Sequence, residues 1–376
     1  MSPVDVFTNG VTVDRAVNFF SRLVPGVKTR QGEFSDVRPR SIIAFRKGSN
    51  PTFSYYLDAR LQFYGQNMPV TIRCIDRDDL TNLDPAGAFV VVCRYLRTAH
   101  VNWILRNAHQ LAGVGLFMDD DVSGILLSTQ APFSYRAKLV QLHLRPLLRL
   151  GNCLDVLWAS TPPLASLLAS NGSAVRLLPP LPSKAVVAPD DAARSSAELS
   201  IGFYATGIHA AEHTFLKPIV AEILTRYANV TFEVSASGRH ARDWQNDLPK
   251  GCTVRIRPML PWEEFVTYSR EHPTDIVLVP LLNGRVNISR ADTKRIDVCR
   301  MRAAAVFSDS EPYRRNRQPA EILVKNEHGS WVDAIESLIK SPEKRAAARS
   351  ATFAAVEQMT RREPTIPGLS NSAGSM

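Results

Sequence analysis

The run AFVVVC at 88–93 is apolar at six consecutive positions, and runs like it recur along the chain between stretches of helical periodicity. A strand that is apolar on both faces must be covered on both faces. Alternation of such strands with helices therefore implies a parallel sheet flanked by helices. The strand-like runs are VDVFT (4–8), the segments at 41–46, 69–75 and 87–95, VGLFM (114–118) and CLDVLWAS (153–160). Helical patterns fall between them, including 101–113, ending at Gly113, and SYRAKLVQLHLRPLLRL (134–150).

Residues 178–199, rich in Pro, Ala, Ser and Asp, break this rhythm and suggest a connection between domains. The alternation then restarts with strands at 199–206, 230–237, 252–259, 275–282 and 304–309, separated by helical stretches such as AEHTFLKPIVAEILTRYA (211–228). The expectation is an α/β protein with two Rossmann-like, doubly wound domains facing across a cleft. Its divisions are an N-terminal domain at 1–180, a linker at 181–199, a C-terminal domain at 200–360 and a disordered tail at 361–376. Ligands of such sheets bind beyond the carboxyl ends of the strands.

Composition narrows the partners. The net charge of +9 on 376 residues favours anions: phosphate-bearing substrates, an anionic membrane surface or nucleic acid. Cations concentrate between Arg285 and Arg302, without the aromatic interleaving of a single-strand binder, so nucleic acid is not expected as a partner. No apolar run reaches the ~20 residues of a membrane span, and the N-terminus lacks the pattern of a signal peptide. The five scattered cysteines read as reduced thiols. These features lead to an expected cytoplasmic location, compatible with peripheral contact at the inner membrane face.

Three candidate sites follow strand ends. At GLFMDDDVSG (115–124) the strand runs into Asp119, Asp120 and Asp121. Three adjacent carboxylates suit an Asp-x-Asp metal site, a group of hydrogen-bonding or proton-accepting carboxylates, or a solvated turn. Thr206-Gly207 separates a strand from a helix that begins near His209 and Glu212; a helix start there presents free amide N–H groups to a phosphate. In NISRADTKRIDVCR (287–300), Arg290 and Lys294 are four residues apart and would share a helix face, with Asp297 three further on. Two cations there suit a diphosphate and the carboxylate suits ribose hydroxyls. Arg300, farther along, would lie outside that site.

Together these residues resemble the donor-binding half of GT-B glycosyltransferases, in particular the group related to glycosyltransferase family 4. The resemblance rests on Thr206-Gly207, His209 and Glu212, on Asn287, Arg290, Asp292, Lys294 and Asp297, and on AAAVFSD. It extends to FVVVCRYLR, VGLFMDDDV and LDVLWASTPPLASLLA in the first half, covering roughly 87–315. The sequence departs from the family pattern at Asp297, a shorter acid, at Ser289 in place of a sugar-contacting Glu, at Arg302-Ala303-Ala304 and at Pro179-Pro180.

The resemblance implies a hexosyltransferase-like enzyme of polysaccharide biosynthesis that uses a nucleoside-diphosphate sugar and a glycan, lipid-linked or protein acceptor. It implies retaining stereochemistry, no cofactor and no bound metal. In that reading Thr206, Gly207, His209, Asn287, Arg290, Lys294 and Asp297 bind the donor, and Asp119, Asp120 and Asp121 face the acceptor. The alternative is a glycosyltransferase-like binding protein that has lost catalysis.

Overall fold

The computed structural model describes residues 38–128, 131–169, 175–183, 198–205 and 209–369. The expected strand at 4–8 and the helix after it, the interior of the linker and Thr206-Gly207 lie outside the described residues. The chain divides into two compact units. The first comprises Met1–Gly48, Arg60–Pro179 and Pro364–Met376, and the second Ser49–Ala59 and Pro180–Glu363.

The first unit holds one parallel sheet of β1 (Ser41–Arg46), β2 (Val70–Cys74), β3 (Ala88–Cys93), β4 (Gly113–Met118), β5 (Val156–Ala159) and β6 (Val175–Leu177). They are ordered β2-β1-β3-β4-β5-β6. The central strands β3, β4 and β5 are buried at every residue, whereas the edge strands β2 and β6 are only partly buried. That is the gradient the all-apolar runs require, because only strands with a neighbour on each side and helices on both faces are sealed from water. Gly115 belongs to this packing: a Cβ there would lie 2.0 Å from the Trp158 ring. The Trp158 indole N–H in turn donates to the Pro367 carbonyl at 2.8 Å.

The second unit repeats the design with β7 (Leu199–Phe203), β8 (Val230–Ser235), β9 (Val254–Arg257), β10 (Ile276–Val279), β11 (Ala304–Ser308) and β12 (Ile322–Val324). Their order, β9-β8-β7-β10-β11-β12, is the doubly wound 3-2-1-4-5-6 arrangement of a dinucleotide-binding sheet. Alternate residues of one strand feed two separate cores. Ile276, Leu278, Ala304 and Val306 pack in one; Val277, Val279, Ala305 and Phe307 pack in the other. The strand order reverses between β7 and β10, which is where such sheets open a ligand crevice.

Three local expectations change. The helix expected over 101–113 is Thr98–Asn107, and Gly113 opens β4. A Cβ on Gly113 would meet the Phe89 ring at 2.6 Å, so this glycine serves strand packing and not a helix end. The helix expected over 134–150 contains a π-helical segment, Val140–Leu144, directly before Arg145–Leu150. Pro146 lies just after it and cannot donate to an earlier carbonyl, and the wider turn leaves the Leu142 carbonyl for the Leu96 amide at 2.9 Å. Finally, Pro364–Leu369 of the expected disordered tail are placed in the first unit, with Ile366 and Leu369 buried.

The division of the chain also differs from a single boundary near 180. After β1 the chain leaves the first unit at Ser49 and returns at Arg60. The excursion carries a short helix, Pro51–Tyr56, started by an Asn50 side chain that accepts the Phe53 amide at 2.9 Å and by Pro51 in its first turn. Among the described residues, no helix is long and apolar enough to cross a membrane.

Candidate functional site

The carboxyl end of β7 continues into Tyr204 and Ala205, and the helix Ala210–Arg226 starts just after His209. Tyr204 is aimed by its neighbours: its hydroxyl donates to Glu233 at 3.0 Å, and Glu233 also takes Arg257 at 2.7 Å. Gly202 leaves room for the ring, since a Cβ there would lie 2.4 Å from it. The Tyr204 carbonyl is thereby left facing the Lys294 ammonium at 3.1 Å.

Lys294 is the first residue of the helix Lys294–Arg300 and its side chain is 37% exposed. Its ammonium also lies 3.0 Å from Asp297 Oδ2. Asp297 is buried, and its other oxygen accepts the Arg300 guanidinium at 2.7 Å and the Tyr55 hydroxyl. Burial alone would push the Asp297 carboxyl up, but Lys294, Arg300 and Tyr55 outweigh it and hold it below the usual carboxylate range.

Next to this group stands His209, 3.6 Å from Glu212. Burial pushes the His209 imidazole below its ordinary pKa; Arg290 and Lys294 push the same way against the pull of Glu212. Both cations thus act on one ring at the β7 end. On the β10 side, the Asn287 amide donates to the Leu282 carbonyl at 2.7 Å, and the Leu281 amide donates to Ser308 at 2.7 Å. These contacts shape the loop that closes the crevice.

The structure therefore brings His209 and Glu212, and Lys294 and Asp297, to the switch point, with Arg290 near enough for its charge to act on His209 and Asn287 bracing the loop beside them. Two details of the expectation are corrected. Arg290 does not share a helix with Lys294: Arg285–Ile288 and Lys294–Arg300 are separate short helices with 289–293 between them. The break follows from Asp292, which is buried and takes Arg295 at 2.6 Å and Asn316 at 3.1 Å, fixing the chain before the second helix begins. Arg300 is not outside the site either. It is fully buried, reaches Asp297 and the Tyr55 hydroxyl, and lies over the Trp262 and Phe265 rings.

Two of the six cations in 285–302, Arg295 and Arg300, thus belong to internal networks. Arg295, also fully buried, makes a two-pronged pair with Glu321 at 2.6 and 2.7 Å. Tyr55 and Arg300 are the residues the sequence reasoning missed. Asn50-Pro51, a helix-start signal, was the available hint that a helix sits near 51–56; nothing local pointed to the second unit.

In the first unit the three aspartates divide their work. Asp121 is buried and caps the helix Val122–Leu127 by accepting the Gly124 amide at 2.8 Å. Asp119 and Asp120 each lie 3.1 Å from the Arg94 guanidinium, which relieves their mutual repulsion. Arg94 has a left-handed backbone (φ 65°), stabilised by its amide donating to Phe117 and by its carbonyl meeting His143 Nδ1 at 2.8 Å. Among the described residues no group of three or more His, Cys, Asp or Glu could hold a metal ion.

Among the described residues the two sheets have six parallel strands each and are of the Rossmann-like kind found in the GT-B architecture. The fold is similar to the N-terminal domain of trehalose-6-phosphate phosphatase from Candida albicans, at 9% identity and TM-score 0.54 over 89% of this chain and 97% of that one. It is also similar to HepE of Anabaena, solved in complex with UDP and glucose, at 10% identity and TM-score 0.53 over 85% and 95% of the two chains. A third similar structure is a TarM mutant of S. aureus with Fondaparinux, α-GlcNAc-glycerol and UDP, at 8% identity and TM-score 0.50 over 73% of this chain and 53% of that one. No protein-family profile matches the sequence, and no curated protein matches it.

Proposed function

We propose that the protein is a sugar-nucleotide-dependent glycosyltransferase whose donor lies at the β7–β10 switch point of the second unit. The observation that carries this reading is the Lys294 ammonium at the end of β7, 3.1 Å from the Tyr204 carbonyl and 3.0 Å from Asp297, with the Arg290 charge near enough to act on His209 beside it. Two cations beside the strand ends suit the diphosphate of a nucleoside-diphosphate sugar. During transfer the anomeric carbon exchanges its bond to the diphosphate oxygen for one to the acceptor hydroxyl oxygen, whose proton passes to the leaving phosphate or to solvent, and the charge growing on the leaving phosphate is stabilised by Lys294 and Arg290. UDP is the first nucleotide to test, since two of the similar structures were solved with it. Asp119 and Asp120 are candidates for contact with the acceptor hydroxyl, be it on a glycan, a lipid-linked glycan or a protein. Retention of configuration, independence of metal and of any cofactor, and work at a cytoplasmic or membrane-peripheral location belong to the same proposal.

Titration calorimetry with UDP in EDTA tests it: micromolar to millimolar binding is expected, and turnover of a UDP-sugar should survive the chelator. No binding of any nucleoside diphosphate would overturn the donor assignment. Rescue by manganese would return the aspartates to a metal site.

A second reading, a binding protein that has lost catalysis, is favoured by two residues. Ser289, at 1% exposed, bonds the Val286 carbonyl at 2.8 Å, which turns it away from a sugar. Asp297 is already engaged by Tyr55, Arg300 and Lys294. UDP binding without transfer or hydrolysis of any UDP-sugar would establish that reading.

A further inference from the structure

The donor reading leaves one buried group without a role. Tyr55 comes from the excursion Ser49–Ala59, far from the rest of the second unit in sequence. Its ring meets Trp262 edge-on at 5.2 Å, the Trp262 indole donates to Ser54 at 2.9 Å, and the Tyr55 carbonyl accepts the Leu181 amide at 2.7 Å. The hydroxyl is therefore delivered to a defined place. It donates to Asp297 Oδ1 and accepts from Arg300 at 3.2 Å.

We propose that Tyr55 is a positioning residue of the donor site, whose hydroxyl quenches Asp297 and so leaves the Lys294 ammonium available to a diphosphate. This rests on the donor reading of the same site. The physical argument is a competition for one carboxylate. Asp297 Oδ1 has two donors, Tyr55 and Arg300, while Oδ2 has Lys294. Charge drawn toward Oδ1 weakens the hold of Oδ2 on Lys294. Loss of the hydroxyl returns that charge, and a diphosphate must then compete with a stronger internal partner. The ribose and base do not take part in this competition. Two cations against one carboxylate leave the hub with a net positive charge, carried outward by its half-exposed member, Lys294.

The test is a double-mutant cycle of Tyr55→Phe and Lys294→Met, read by titration calorimetry with UDP and with uridine and by thermal melting. Tyr55→Phe should weaken UDP about threefold to tenfold and leave uridine within about twofold. On the Lys294→Met background the same change should alter UDP affinity by less than about twofold. Equal weakening of UDP and uridine, an equal effect in both backgrounds, or no effect on UDP would overturn the proposal and leave Tyr55 a structural residue. Ser54→Ala, which only loosens the seat of the helix, should show the same UDP-selective weakening if Tyr55→Phe does not fold; equal weakening of both ligands, or none, would then overturn it. Failure of the donor reading is recognised separately, because the wild-type protein would then bind no UDP at all.

Discussion

Lys294 and Asp297 form a 3.0 Å ion pair in which the lysine is half-exposed and the aspartate is buried. The asymmetry separates their roles. The buried member is held by Arg300 and Tyr55 and belongs to the core, while the exposed member can exchange its partner for a ligand. An exchangeable cation at a strand end is what a diphosphate site requires, and a pair in this geometry contributes little to stability on the lysine's side.

Replacing Lys294 by Met should weaken UDP by about 1.5–3 kcal/mol, the range for a hydrogen bond to a charged group, and leave uridine unchanged. Calorimetry with both ligands measures the difference directly. Equal losses would mean that Lys294 shapes the site without contacting the phosphates.

Asp297→Asn should act chiefly on stability. It leaves Arg300 buried and uncompensated, so the cost is about 3–5 kcal/mol in urea unfolding at pH 7. The Asp297 carboxyl is held below its usual range, so the contribution is present above the unfolded carboxyl value of 3.8 and is lost as pH falls through the depressed folded value. The gap between wild type and variant should therefore narrow in acid. A gap that stays constant down to pH 3 would contradict the charged pairing.

Two buried histidines predict a second pH effect at milder acidity. Burial pushes His143 and His213 down to about 4, and His213 accepts the Trp244 indole N–H at 2.8 Å as a neutral ring. With folded values below the ordinary 6.5, the unfolded chain binds more protons between the two. Stability should then be full above about pH 6.5 and fall toward pH 4, by up to about 2 kcal/mol per histidine between pH 7 and 5. His213→Gln should flatten part of this slope in urea titrations; an unchanged slope would mean the ring is not buried neutral.

Arg295→Met should cost about 3–5 kcal/mol, since Asp292 and Glu321 would be left buried without their shared cation. Because Arg295 points away from Lys294 into that network, the folded fraction of the variant should bind UDP normally. A selective loss of UDP affinity at unchanged melting temperature would place Arg295 in the donor site instead.

Much of the scaffold was legible because it is written in local periodicity. AFVVVC, VGLFM and DIVLVPLL are apolar on both faces, so no open antiparallel sheet could bury them, and they became β3, β4 and β10. The residues that follow such strands are expected at the rim by geometry alone, which is why Asp119 could be singled out from the strand pattern, whereas His209 and Asn287 were named from the family resemblance.

What the local pattern could not carry is where a charge ends up. Arg295 and Arg300 sit in a run of cations that looks solvated, yet both are fully buried because Glu321, Ser269 and two aromatic rings arrive from elsewhere in the fold. Burying a guanidinium is tolerable only when such partners converge, and convergence is a property of the assembled sheet. The same holds for Tyr55, which meets Asp297 across 242 residues of sequence. Periodicity specifies which face of an element turns inward; which distant side chain waits there is decided only when the chain has folded back on itself.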